Sequence, residues 1–555
     1  MICISIFFVS FFSYYGQLNE NEYIKQLAFF VMFLFLGVIS IVKIKFLDKV
    51  SFNVTIGDIF IILFLLFYSL FYINTNNNLN FTLPFAYFLF YIFLRLCISK
   101  ENDFVDTLNN IIPLVLILHL IICLLQFAKI LPNNDNFFPV GSSFGNPDKL
   151  GAYMAVLLPF CYVGMKKKIF TYFVFILCII LFFLLESRTA LLASTVTFFS
   201  YLIISGRVPK KSLLFIIPIL ILGLVALIQL NPLSVSGRLF IWIVSGAMIL
   251  AKPWGWGLYA FEKHYPKFQT EFILKYPELS SKFNLDMVHS PFNEFLNIGV
   301  TLGMIPFLLY IAFVLYLLYV LYRKKTPLLY PLISFQIISL SYFPFKVSSL
   351  VLIVLLFVAN AVAGYFNSLK MIQIKPKTPL IIILIAFSFL CFPNMFNYRH
   401  WRIANDYSKT EKTYDKSNTL FEKLYPTMKG NGLFLLSYAE LAENCNDDRM
   451  FLMLMQETTN YYVDAYILRI LSFAYEKNGC LDDAEEYLNL AVNMSHNNYS
   501  FRYEQMLFFH RIGKEQEAYD LAIKLYNTKS EKSIKIDIMK TDIERIIKQF
   551  KNNNL

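Results

Sequence analysis

Ahead of residue 397 the chain carries one apolar run after another, many long enough to cross a bilayer. A helix needs about 20 mostly apolar residues to traverse roughly 30 Å of hydrocarbon, and only helices or closed barrels satisfy their backbone there. Composition agrees, at 57% hydrophobic and 18% aromatic residues with a mean hydropathy of +0.55, too apolar for a water-soluble protein of this length. Residues 398–555 are rich in Glu, Asp, Lys, Asn and Tyr and contain no run that spans. The expected architecture is all-α: a polytopic membrane domain over 1–397, with a large loop at 231–291, and a soluble helical domain over 398–555.

The opening "MICISIFFVSFFSYY" has no basic stretch and no small-residue cleavage site, so a short first span is expected there rather than a removed signal peptide. Spans are read at 2–15, 26–42, 57–73, 81–98, 109–128, 149–165, 169–185, 189–205, 212–230, 293–322, 327–343, 349–366 and 378–396, about thirteen crossings. The net charge of +11 lies largely in short loops, which is sorting of basic residues to the cytoplasmic side rather than a nucleic-acid footprint. Lys43, Lys45 and Lys49, Arg95 and Lys100, Lys166 to Lys168, Arg207, Lys210 and Lys211, Arg323 to Lys325, and Lys370, Lys375 and Lys377 then share one face. An odd span count puts the C-terminal domain on the opposite, outer face, where Cys445 and Cys480 could pair.

On that outer face emerge 131–148, the "ESRT" hairpin at 186–189 and the segment 231–291. A Gly-Asn-Pro turn at 145–147 is costly in lipid, so Asn146 is expected to line a cavity or its rim. Arg188, between two apolar helices, suits an anion; it equally fits an internal pair with Glu186 or a side chain reaching for headgroups. Arg238 follows a Ser-Gly pair, and a surface helix starting there would aim its amides at the same rim, ending at Pro253, Gly255 and Gly257. The segment 231–291 holds six Lys/Arg against four acids, an excess the sorting rule does not predict and a fixed anion would explain. His289 precedes a long span and titrates near neutrality. Asn293 and Glu294 fit a helix cap and first-turn acid as well as a site. Lys149 and Lys346 are further outer-face cations. No metal-ligand spacing, phosphate-binding Gly-rich loop or Cys-x-x-Cys is present, so neither a metal nor another cofactor is expected.

In order, "GSSFGNPDKLGAYMAVLLPF", "ESRTALLAS", "GRLFIW", "PWGWGLYAFEKHYP" and "HSPFNEFLNIGVTLG" resemble the O-antigen ligase superfamily, over roughly 130–320 by motif. The superfamily comprises lipopolysaccharide O-antigen ligases, bacterial protein O-oligosaccharyltransferases and related polysaccharide polymerases. The resemblance implies a bundle like that of the C-type membrane glycosyltransferases, in the bacterial inner membrane. It also implies inverting transfer, without metal, of glycan from an undecaprenyl-diphosphate donor to an acceptor on the periplasmic face. The acceptor would be lipid A-core, a Ser/Thr of a protein or another glycan. By position, Arg188 and Arg238 match the arginines thought to hold the diphosphate, with Lys149 beside them. The acceptor-activating histidine usually stands immediately before an Asn that opens the next span. Phe292 holds that place here, leaving His289 as a shifted base and Glu294 as a substitute. A polymerase, or a transporter or flippase of an anionic lipid-linked substrate, are the competing readings.

From about residue 431 a pattern recurs at a period of 34, the tetratricopeptide length. Tyr475, Gly479 and Ala484 recur as Phe509, Gly513 and Ala518, with a weaker copy through Leu441, Cys445 and Met450. Stacked helix pairs form a groove, so a protein partner is expected there, or simple packing on the membrane domain. A periplasm-dependent reporter fused after residue 555 is expected to be active, and the same reporter in the 166–168 loop silent; the opposite pattern would invert the topology.

Overall fold

The computed structural model describes residues 2–12, 20–43, 50–72, 79–97, 104–133, 138–163, 169–209, 211, 218, 229, 232–257, 260–276, 288, 290–495, 498–527 and 534–553. Most of these are helical. Among them, five helices are long and apolar enough to cross a membrane: Tyr23–Lys43, Phe104–Phe127, Met304–Arg323, Ser348–Tyr365 and Lys377–Tyr407. The bundle is apolar on its outside as well as inside: Ile169 and Phe389 are more than 80% exposed, the inversion expected when lipid is the solvent. Phe29, Phe33, Phe90 and Phe387 interlock edge-to-face in its interior.

Several expected crossings are shorter or broken. The 2–15 run contains an eight-residue helix, Ile2–Val9, about 12 Å at 1.5 Å per residue. The 149–165 run is the eleven-residue helix Pro147–Leu157 followed by a 3-10 turn, Leu158–Cys161; residues 150–163 are buried, so protein rather than lipid surrounds the irregular backbone. The 293–322 run breaks at Gly303 into Glu294–Leu302 and Met304–Arg323, and the 327–343 run shortens to Leu329–Ser339. Almost all of 212–230 lies outside the described residues. The helix carrying Arg238 starts at Pro232, not after Ser236 and Gly237. Proline is well suited to a first helical position, so Arg238 sits almost two turns in and the helix-start amides are not beside it.

A two-stranded antiparallel sheet also forms, from Val50–Thr55 and Ser368–Ile374, with Val50 opposite Ile374 and Thr55 opposite Ser368. It joins two segments expected on the basic face, so the loop-charge pattern and the pairing agree. Beside it, Arg95 is not a free loop cation. Its Nε and Nη2 donate to the two carboxylate oxygens of Asp58, each at 2.9 Å, and Nη2 also reaches the Asn53 carbonyl at 2.7 Å. Tyr91 donates to the same carboxylate at 2.7 Å. Two-pronged geometry and saturated acceptors let the buried pair persist.

The last apolar helix runs unbroken through the expected boundary at 397, to Tyr407, carrying Trp401 and Ala404 into a second apolar cluster with Phe421, Phe434 and Leu471. Beyond it, helices start at Gly432, Ala465 and Tyr499, and their partners at Asp448, Leu481 and Glu515. Asn431, Asp464 and Asn498 cap the first helix of each pair. Between partners, Asn446, Gly479 and Gly513 take positive φ, which Gly adopts freely and Asn at least cost among the others. The first copy is thus in register through Asn446, not Cys445, and Phe451 rather than Met450 is buried. Glu443–Lys477 and Glu476–Arg511 tie successive pairs together. Both Cys445 and Cys480 are exposed free thiols, not a disulfide.

Replacing Asp58 by Ala strands a buried guanidinium and is expected to cost on the order of 3–5 kcal/mol. Thermal unfolding of the full chain in detergent would show it, with most of the loss recovered in the Asp58→Leu/Arg95→Met double variant.

Candidate active site

The 138–149 segment is held by side chains from neighbouring helices. Gln126 accepts from the amides of Gly141 (3.1 Å) and Ser142 (2.8 Å) and donates to the Ser142 carbonyl (3.1 Å). The buried imidazole of His119 bridges Ser10 Oγ at 3.1 Å and Ser142 Oγ at 2.9 Å, stacked on Phe11. Ser143 donates to the Ser10 carbonyl at 2.6 Å, and Asn133 to the Gly145 carbonyl at 2.7 Å. Lys25, fully buried, lies over the Phe144 ring at 3.3 Å. Each of these bonds removes a polar group that lipid could not satisfy. Asn146 then caps the next helix, its Oδ1 accepting from the amides of Asp148 (2.8 Å) and Lys149 (3.2 Å), with Pro147 at the first position. Its observed work is to aim that first turn.

Against this turn packs the hairpin that carries Arg188. Glu186 takes a positive φ of 53°, and Arg188 opens the Arg188–Ile204 helix. A Cβ on Gly151 would collide with Ser187 Oγ, so glycine permits the close approach that leaves Ser187 Oγ 3.4 Å from Asp148 Oδ1. From a third element, Arg238 donates through Nη1 to the Ser341 carbonyl at 3.0 Å and covers the Phe292 ring at 5.4 Å. Asp148 and Arg188 are both among the charges that act on Arg238. The two arginines and the carboxylate therefore share one electrostatic site. Asp148 reaches solvent, yet the protein around it lifts its carboxyl above the usual range, against the pull of Arg238, Ser187 and Arg188.

The loop 340–347 ties these parts together. Besides receiving Arg238, it takes the Asn293 side-chain amide on the Leu340 carbonyl at 3.2 Å and places Ser341 Oγ 3.5 Å from Thr189 Oγ1. Asn293 is also the helix cap, accepting from Leu296 N at 3.1 Å. Glu294 turns inward: it is 2% exposed, its Oε1 accepts from Asn297 at 2.9 Å, and the cation acting on it is Lys346. Lys346 in turn lies 3.6 Å from Glu262. The structure brings Arg188 and Arg238 together with Asp148, places Asn146, Lys149 and Asn293 on the flanking caps, and sets Glu294 behind them. His289 lies outside the described residues.

The 231–291 loop is anchored by backbone. Trp256 and Gly257 donate to the carbonyls of Val300 (2.9 Å) and Thr301 (3.0 Å), and Met304 to that of Pro253 (2.8 Å). Gly303 has φ 96°, and a Cβ there would stand 2.6 Å from the Pro253 carbonyl oxygen. Its second helix, Ala260–Lys275, meets the C-terminal helices, where Gln269 donates to the Met494 carbonyl at 3.3 Å. His264 of this helix packs on Trp256; burial, then Lys263, Lys252 and Lys267, depress its pKa. Sequence reasoning passed over Asp148, Gln126, His119 and Ser341. Asp148 alone carried a signal, as an acid beside the Gly-Asn-Pro turn.

Several helices long and apolar enough to cross a membrane, with arginines of two further helices brought near one another, define a multi-pass membrane protein with a charged site. Residues 173–311, which include Arg188, Arg238 and the Gly303 break, match the family model described as O-Antigen ligase. That stretch of the chain is thus similar to the O-antigen ligase family. No curated protein and no solved structure matches the chain. Gly303→Ala is expected to lower the thermal midpoint of the detergent-solubilised protein, because the left-handed backbone and the Pro253 carbonyl both oppose a Cβ; Gly364→Ala, with open space around it, should leave the midpoint in place.

Proposed function

We propose that this protein transfers a glycan from an undecaprenyl-diphosphate donor to an acceptor at the mouth formed by Arg188, Arg238 and the 340–347 loop. The observation that carries this is that Arg238, almost two turns into its helix, and Arg188, at the start of another helix fifty residues earlier, lie near enough to act on one another. Cleaving the sugar–phosphate bond builds charge on the departing diphosphate, and two guanidinium forks stabilise that charge with paired hydrogen bonds. An acceptor hydroxyl, relieved of its proton, attacks the opposite face of the anomeric carbon and inverts it. Lys149, on the first turn beside Asp148, adds positive potential. His289 and Glu294 are the bases that the sequence suggests; of these, Glu294 is set inward and bonded to Asn297.

The mouth is assigned to the periplasmic face of the inner membrane. The contact of Gln269 with Met494 supports the same face for the C-terminal helices, read as tetratricopeptide-like repeats over 398–555 that bind a protein or steer an acceptor. The family match is equally at home with a polymerase that extends a growing glycan.

The test uses a gene-deletion strain complemented with full-length variants, with lipopolysaccharide laddering and glycoprotein mobility as readouts. Arg188→Ala and Arg238→Ala are each expected to lower product roughly 100-fold or more at unchanged membrane abundance, with lysine restoring part of it. Unchanged product in both variants, or ATP-independent uptake of the lipid-linked glycan into vesicles in place of transfer, would defeat the proposal.

A further inference from the structure

Accepting that reading, we infer that Asp148 is the base that takes the acceptor proton. The site needs a group that binds a proton, reaches solvent and lies beside the arginines. Phe292 presents only a ring to Arg238. Glu294 is buried, bonded to Asn297 and turned toward Lys346. Asp148 meets all three needs: the residue reaches solvent, both Arg188 and Arg238 act on it, and Ser187, the residue preceding Arg188, bonds it at 3.4 Å.

Its placement is built rather than incidental. Asn146 holds the Asp148 amide at 2.8 Å and Pro147 starts the helix. Gly151, one turn on, admits Ser187 closely enough to touch the carboxylate. Gln126 and Asn133 pin the backbone leading into that turn. These bonds come from four chain segments and converge on the direction of one carboxylate.

The charge balance suits the step. Without donor, Asp148 answers the repulsion between two guanidinium groups. Once a diphosphate occupies them, their charge is offset, and the carboxylate's affinity for a proton, already raised by burial, rises further. In the transfer, the acceptor O–H proton passes to Asp148 and the oxygen lone pair forms the bond to the anomeric carbon. The bond from that carbon to the diphosphate oxygen breaks, its electron pair leaving with the diphosphate. Asp148 becomes neutral as the leaving group gains charge, so their mutual repulsion is relieved in the transition state and not before. The proton afterwards leaves to water.

The experiment compares Asp148→Asn, Asp148→Glu and His289→Ala in the complemented deletion strain and measures binding of undecaprenyl diphosphate itself to each purified full-length protein. Asp148→Asn is expected to cut glycan product roughly 100-fold or more while binding undecaprenyl diphosphate as tightly as the parent or tighter, since a negative charge beside the anion is gone. Asp148→Glu should recover a measurable share. Asparagine product within about threefold of the parent would overturn the assignment, as would a parallel loss of undecaprenyl diphosphate binding, which would make Asp148 a positioning residue. Failure of the underlying function looks different: the parent itself would not bind undecaprenyl diphosphate, and the arginine variants would match it.

Discussion

Two guanidinium groups facing one mouth repel, and in surroundings poor in water that repulsion is weakly screened. The side chains around them answer that problem. Arg238 is held by the Ser341 carbonyl and laid over Phe292, while Asp148 supplies the opposing charge from a third element.

Holding that geometry requires irregular backbone at membrane depth, and the chain allows it only where protein surrounds it. The short helix Pro147–Leu157 and its 3-10 continuation are wrapped by other helices. The turn ahead of them spends its polar groups on Gln126, His119 and Asn133. The Gly303 break is closed by the Pro253–Gly257 segment, whose backbone comes so near that glycine is required on both sides. The same physics explains Arg95 and Asp58, which are buried as a bonded pair.

Much of this was legible in the chain. The apolar helices follow from properties each segment carries alone, and five of them are long enough to cross a membrane; Asn293 is the cap its place before Glu294 suggests. Where expectation failed, a distant segment intervened. Arg95 reads as a loop cation until Asp58 is beside it, and Cys445 reads as a repeat position until the left-handed turn is seen at Asn446. The pairing of Val50–Thr55 with Ser368–Ile374 joins strands more than three hundred residues apart, beyond any local pattern.

Sequence by itself determined that the chain builds apolar helices, which residues could not rest in lipid, and in what order the candidate motifs come, because hydropathy and backbone preference are local. Tertiary structure alone decided which of those polar groups meet. Charge acts through space rather than along the chain, so the partnership of Asp148 with Arg188 and Arg238, and the retreat of Glu294 behind them, emerged only when the helices were packed.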